Sequence, residues 1–278
     1  MNSAVLHGLP SAGIELIAEQ FVRARLAGQS LPHYPGTLPE TLADAYRCQE
    51  YAIDRWPDAI VGWKVARIGA AWAKKFPEER LVGPVFQRNV HWARSGEVMD
   101  FPAFAGGFAA VEAEIVLRVN EDAPHGKKLW SIDEAAELVR SFHLGVETAG
   151  SPLATLNDLG TGAVISDFGN NWGVIVGASI GEWRSIEEMV ALTFIDDALA
   201  GRGTAFIRQG ALGALAFALS KCAQLGRPLR AGDIVSTGAI TGVHDIRIGQ
   251  QSRHVFEGCG EIECRAVRAG SYLPNTQR

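Results

Sequence analysis

The segment VEAEIVLRV, residues 111–119, carries two carboxylates two positions apart. Side chains in a strand alternate between faces, so Glu112 and Glu114 point the same way. Their neighbours Val111, Ile115, Val116 and Leu117 are apolar, the pattern of an interior strand. Two adjacent buried anions repel each other and lose hydration, a cost that a cation between them removes. Hard divalent ions such as Mg2+ or Mn2+ prefer such oxygen ligands. The alternative is a pair that faces water beside Arg118. A third acid, Glu147, sits in the short apolar run HLGVETAG, residues 143–150. It could join the pair or stand exposed at a strand end.

Three further residues have chemical potential. Lys64 lies inside VGWKVARIG, residues 61–69. It could snorkel to the surface, or serve as a buried cation that binds a carboxylate or moves a proton. Asp167, in ISDFGNNWG, could cap a turn or act in a site, and Thr241, in STGAITG, could be a plain loop hydroxyl. Other templates fail. The sequence has no G-x-x-x-x-G-K-[ST] loop, no G-x-G-x-x-G after a strand and no G-x-S-x-G elbow. Its seven histidines do not cluster. Cys259 and Cys264, with His254 nearby, match no common zinc spacing and lack a fourth ligand, so packed or surface thiols are expected.

The elements that must position these residues follow from apolar periodicity. The first 58 residues read as a helical region. Ile14, Leu16, Ile17, Phe21 and Leu26 form one stripe. Thr37 and Glu40 stand at capping-box spacing before a second helix, closed by Pro57. Residues 59–278 read as a β-rich catalytic domain, with strands expected at 60–65, 107–119, 144–147, 172–176, 189–195, 234–236, 243–248 and 262–267. Two helices interrupt them. One is capped by Ser131 and Glu134 and runs to about residue 142. The other spans 211–225, is apolar nearly all round and is stopped by Gly226 and Pro228. The irregular alternation predicts an α+β fold rather than a doubly wound parallel sheet.

Composition narrows the partners. The chain has 278 residues, 47% hydrophobic and 21% charged, enough for a large core without disulfide staples. Its 26 basic and 31 acidic residues give a net charge of -5 with no basic run, which argues against nucleic acid and anionic membranes. Four scattered cysteines fit a reducing compartment. The N-terminus has no signal-peptide pattern and no stretch of about 18 apolar residues occurs, so a cytoplasmic location is expected.

Taken in order, GWK at 62–64, EAE at 112–114, GVE at 145–147, SDFGN at 166–170 and AGDIVSTGAITG at 231–242 resemble the fumarylacetoacetate hydrolase superfamily. The similarity runs over roughly residues 38–267 and looks nearest to the 2-oxopent-4-enoate hydratases and 2-oxo-enedioate decarboxylases. The resemblance implies a mixed β-roll or sandwich core with a small helical N-terminal region, in a homo-oligomer. It implies a Mg2+ or Mn2+ site made by Glu112, Glu114 and Glu147, Lys64 and Asp167 as catalytic residues, and Lys64, Phe168 and Thr241 against the substrate. It implies a lyase of aromatic catabolism that hydrates a 2-hydroxydienoate. A decarboxylase or C–C bond hydrolase on the same scaffold is the alternative. A non-catalytic binding protein for small acids is the alternative of another class. Two stretches depart from the family pattern: ARIGAAWAKKFPEERLVGPVFQ replaces a Thr/Ser-rich turn and a Pro-acid-aromatic-Gly stretch, and SDFGNN replaces Ala-Asp-Asn.

Overall fold

A computed structural model describes residues 8–272 except Pro77. The first seven residues, on which the expected lack of a signal peptide partly rests, lie outside the described residues. The helices are α1 (Ser11–Ala27), α2 (Leu42–Ile53), α3 (Ala70–Ala73), α4 (Ile132–Glu137), α5 (Thr161–Ser166) and α6 (Gly213–Gln224). The strands are β1 (Ile60–Arg67), β2 (Arg80–Phe86), β3 (Val90–Trp92), β4 (Val98–Ala103), β5 (Phe108–Val119), β6 (Val139–Ser151), β7 (Asn171–Ile180), β8 (Glu188–Ile195), β9 (Ala198–Phe206), β10 (Ile234–Ser236), β11 (His244–Asp245), β12 (Gln251–Phe256) and β13 (Gly260–Arg268). They form two mixed sheets. The larger has the order β2-β1-β10-β5-β6-β7-β3, with β11 also paired to β5, and the smaller has the order β4-β13-β12-β8-β9.

The long antiparallel pair β5–β6 is the spine of the larger sheet, and every residue of β5 is buried except Ala109 and Arg118, which are half-buried. The α1 and α2 helices are not a separate body in packing terms. Ala18, Val22, Ala45 and Ala52 share one apolar core with Val65, Ile115, Leu144 and Ile175 of the larger sheet and Ile262 of the smaller. Among the described residues no helix is long and apolar enough to cross a membrane.

Several expected boundaries move. Thr41, not Thr37, caps α2, its hydroxyl accepting from the Asp44 amide. Both occupy a Thr-x-x-acid pattern, so spacing alone does not choose between them. The Ser131–Glu134 capping box forms as expected, but α4 ends at Glu137. From Val139 the chain pairs with β5, and the alternating Phe142, Leu144 and Val146 are buried on the sheet. Of the strand expected at 243–248 only His244–Asp245 pairs with β5. The buried helix near 211–225 begins as a π-helical turn at Ile207–Leu212 and continues as α6, with Gly226 at φ 81° past its end.

Candidate metal and acid-binding site

Register places the three acids together. Glu112 and Glu147 are direct cross-strand partners, and Glu114 lies one pleat further along β5, opposite Gly145. Direct like-charge partners destabilise a sheet. Gly145 leaves the place opposite Glu114 free of a side chain, and a Cβ there would collide with Val116. All three glutamates are buried, and one ligand oxygen from each lies within 4.8 Å of the others. Oxygens bound to one six-coordinate ion at about 2.1 Å stand roughly 3–4 Å apart, so small side-chain adjustments close the set on a cation.

The hydrogen bonds fix orientation and leave specific oxygens free. Ser236 and the Gly238 amide both donate to Glu114 Oε2. Asn171 Nδ2 donates to Glu147 Oε1 at 3.0 Å, and Lys64 Nζ lies 3.2 Å from the same atom. Glu114 Oε1 and Glu147 Oε2 are buried with no hydrogen-bond partner. An orphaned buried carboxylate oxygen is costly, and a divalent ion bound between these two would satisfy both. The donor set, three hard carboxylates with oxygens to spare, therefore fits Mg2+ or Mn2+.

The charges are coupled. Burial, and then the neighbouring Glu147, push Glu112 up to about 8, with Lys64 opposing the shift. Burial together with Glu147 and Glu112 raises Glu114 well above the ordinary carboxylate range. Burial pushes the Lys64 ammonium down, but the three carboxylates outweigh it and hold the group above its usual value. Lys64 is thus a buried cation and does not snorkel. Its Nζ donates to the Gly169 carbonyl and to Asn170 Oδ1, both at 2.9 Å.

A pH dependence follows from these shifts. Glu112 binds a proton more tightly in the metal-free fold than in the unfolded chain, where its ordinary value is 4.5. Its contribution is full below about pH 4.5 and is lost as pH rises through about 8. The metal-free protein should therefore melt at progressively lower temperature over that window. Mg2+ should suppress the decline, and at neutral pH its binding should release protons. Titration calorimetry in two buffers of different ionisation enthalpy measures that release, and no release would show the carboxylates already ionised.

The turn behind Lys64 is unusual. Phe168, Gly169 and Asn170 all have positive φ, at 55°, 64° and 57°. Non-glycine residues pay for this conformation, and such strain persists only where the surroundings impose it. Gly83 of β2 packs directly on the turn, where an added Cβ would lie 2.2 Å from the Phe168 carbonyl oxygen. Arg25 of α1 clamps it from the other side. This fully buried guanidinium donates to Asp167 Oδ1 and to the carbonyls of Asp167, Asn171 and Gly150. It also stacks over the rings of Trp172 and Phe168, at 5.1 and 5.3 Å. At such depth an unpaired charge costs several kcal/mol, so the Arg25–Asp167 pair commits the fold to this turn.

The structure thus brings Lys64, Glu112, Glu114 and Glu147 together and keeps three expected site residues out of hydrogen-bond contact with them. Asp167 is engaged by Arg25, although its Oδ2 has no hydrogen-bond partner. The Phe168 ring packs against Trp56 and Phe86. Thr241 is hydrogen-bonded with Thr193, which also meets His254, a histidine that burial holds down at about 3. Arg25, Asn170, Asn171 and Ser236 belong to the site and were not expected. A cavity of about 310 Å³ adjoins the centre, lined by Glu112, Thr237, Gly238 and Ile240 among others. That volume is at the small end for ligand pockets and suits a small acid.

No family model matches the chain. Its fold is of the fumarylacetoacetate hydrolase type. A 4-oxalocrotonate decarboxylase from Pseudomonas putida G7, complexed with magnesium and adipate, is 19% identical with a TM-score of 0.74, covering 93% of this chain and 99% of its own. A fumarylpyruvate hydrolase from Pseudomonas aeruginosa, in complex with Mn2+ and pyruvate, is 20% identical with a TM-score of 0.55, covering 74% of this chain and 89% of its own. A 2-hydroxyhepta-2,4-diene-1,7-dioate isomerase from Mycobacterium marinum is 16% identical with a TM-score of 0.50, covering 77% of each chain.

Proposed function

We propose that the chain is a metal-dependent lyase of the fumarylacetoacetate hydrolase superfamily acting on a small 2-oxo acid, with a role in aromatic catabolism. The observation that carries this is the convergence of Glu112, Glu114 and Glu147, two of them with orphaned buried oxygens, beside the buried ammonium of Lys64. A bound Mg2+ or Mn2+ would supply Lewis-acid stabilisation of negative charge developing on the substrate's 2-oxo group. The residues of the chain do the rest. The three carboxylates hold the cation, with Ser236, Gly238 and Asn171 fixing the rotamers of Glu114 and Glu147. Lys64 presents a proton donor and a positive charge to the same point, held there by Gly169 and Asn170. Asp167 acts through Arg25 to hold that turn, as a positioning residue.

Hydration of a 2-hydroxydienoate is one outcome of this arrangement. Decarboxylation of a 2-oxo-enedioate is the second, favoured by the likeness to 4-oxalocrotonate decarboxylase. That likeness runs over nearly the whole of both chains. Incubating the purified protein and Mg2+ with a panel of 2-oxo acids, followed by mass spectrometry, separates these outcomes. Gain of water, loss of carbon dioxide or carbon–carbon cleavage would each name the reaction. Binding of an acid with no turnover of any would instead identify a non-catalytic binding protein.

A further inference from the structure

The segment between β10 and β11 carries the Gly238 amide that holds Glu114. On one side it is bonded to β5 of the larger sheet, the Thr237 and Ile240 amides donating to the Ile115 and Ala113 carbonyls. Its other side lies against the smaller sheet. An added Cβ at Gly203 of β9 would collide with the Ile240 carbonyl, and one at Gly201 would lie 2.6 Å from the Thr241 carbonyl oxygen. Only glycines let β9 approach this closely.

One side chain of the segment, Thr241, is tied into the smaller sheet. Its hydroxyl lies 2.8 Å from that of Thr193 on β8. Thr193 Oγ1 lies 3.1 Å from Nδ1 of His254, its direct cross-strand partner on β12. His254 Nε2 lies 3.1 Å from Ser252 Oγ. Thr193 and His254 are fully buried. Burial, and then the neighbouring His244, hold His254 down at about 3, so its ring is neutral, with one donor and one acceptor nitrogen. The Thr241 carbonyl can only accept, so His244 donates to it through Nε2 at 3.0 Å. That Nε2 also lies 3.2 Å from Thr241 Oγ1, so the hydroxyl proton turns away from it, toward Thr193. One direction then serves every member: Thr241 donates to Thr193, Thr193 to His254 Nδ1, and His254 Nε2 to Ser252. A buried chain of this kind is costly to leave half-made.

We propose that Thr193 and His254 are positioning residues for the metal centre: through Thr241 they set the segment whose Gly238 amide orients Glu114. The proposal rests on the metal-site reading above and extends it to residues of the smaller sheet. Gly238 and Gly242 have φ of 108° and 103°, so the backbone on both sides of Thr241 is intrinsically permissive. The set of the segment therefore depends on what holds Thr241.

Titration calorimetry of Mg2+ into the full metal-free chain, well below its melting temperature, tests the proposal. Thr193→Val replaces the hydroxyl by a methyl of nearly the same size. It should weaken Mg2+ binding by about tenfold, the lower end of what losing a ligand-orienting group costs. Thr193→Ser, which keeps the hydroxyl, should bind Mg2+ close to the wild-type affinity. Thr241→Val cuts the same bond from the half-buried segment and should weaken binding to the same extent. The double variant should bind no more weakly than either single one, because both substitutions remove one contact. Should Thr193→Val fail to fold, Thr241→Val carries the test. A chain that only stabilises the fold would lower the melting temperature of these variants and leave Mg2+ affinity unchanged. That result, or an equal loss in Thr193→Ser and Thr193→Val, overturns the positioning role alone. Failure of Mg2+ to bind the wild type overturns the metal reading, and the positioning role with it.

Discussion

Glu114→Gln should lower turnover by about 10³-fold or more while the protein stays folded, as expected when one ligand of a catalytic cation is lost. Glu114 is the ligand whose environment is most completely prepared: one oxygen takes the Ser236 hydroxyl and the Gly238 amide, and the other has no partner in the protein. A glutamine keeps the shape and can still accept at one atom, but it removes a charge from the set. In the metal-free protein that substitution costs little, because a neutral amide resembles the protonated carboxyl that the site favours there. Burial and the charges of Glu147 and Glu112 already work against an ionised Glu114. The metal-free variant should therefore melt close to the wild-type temperature. Added Mg2+ should raise the wild-type melting temperature by mass action and raise that of Glu114→Gln much less. Thermal melting with and without Mg2+, run beside the turnover assay, reads both effects. Equal stabilisation by Mg2+ in the two proteins, with activity kept, would make the carboxylates structural.

Much of this centre was legible in the sequence because strand periodicity is strict. An E-x-E within apolar residues has to put both acids on one side of a strand, and β5 does so. What periodicity does not contain is pairing register, so the direct opposition of Glu112 and Glu147 became visible only in the fold. Arg25 was out of reach for another reason. It lies on α1, where Ile14, Ile17 and Phe21 of the expected stripe are buried but Leu16 is exposed, its partner Asp167 is 142 residues away, and a helical arginine is ordinarily a surface residue. The expected roles of Asp167 in catalysis and Phe168 in substrate contact come from the family resemblance of SDFGN, and spacing alone offers Asp167 only as a turn cap. In the fold the Asp167 side chain pairs with Arg25 and the Phe168 ring packs against Trp56 and Phe86. Asn170 and Asn171, in the same segment, carry the contacts to Lys64 and Glu147. Asparagine tolerates positive φ better than most residues, which is the signal that could have pointed to Asn170. Helix α4 stops at Glu137, short of the expected residue 142, because a capping box marks where a helix starts and says nothing of where it stops.

Lys64→Met should cut turnover by about 10²- to 10⁴-fold, the range expected for a positioned proton donor, yet leave Mg2+ binding intact. The two effects separate because of where the ammonium sits. It lies 3.2 Å from Glu147 Oε1, while the oxygen of that glutamate left free for an ion is Oε2. Methionine fills nearly the same volume without a charge, so packing against Gly169 survives. The cost of the change is electrostatic. The three glutamates lose a cation that all of them attract, so the metal-free variant should be less stable than wild type. Mg2+ should recover that loss, and its stabilising increment should be larger in Lys64→Met than in wild type. This is the opposite of the change expected in Glu114→Gln. The pH profile adds a check. The carboxylates hold Lys64 above its ordinary value, so its proton stays in place through neutral and mildly alkaline pH. A basic limb in the wild-type rate profile that reports this group should disappear from the residual activity of the variant. Unchanged turnover would remove Lys64 from the chemistry and leave it as a structural counter-ion to Glu147.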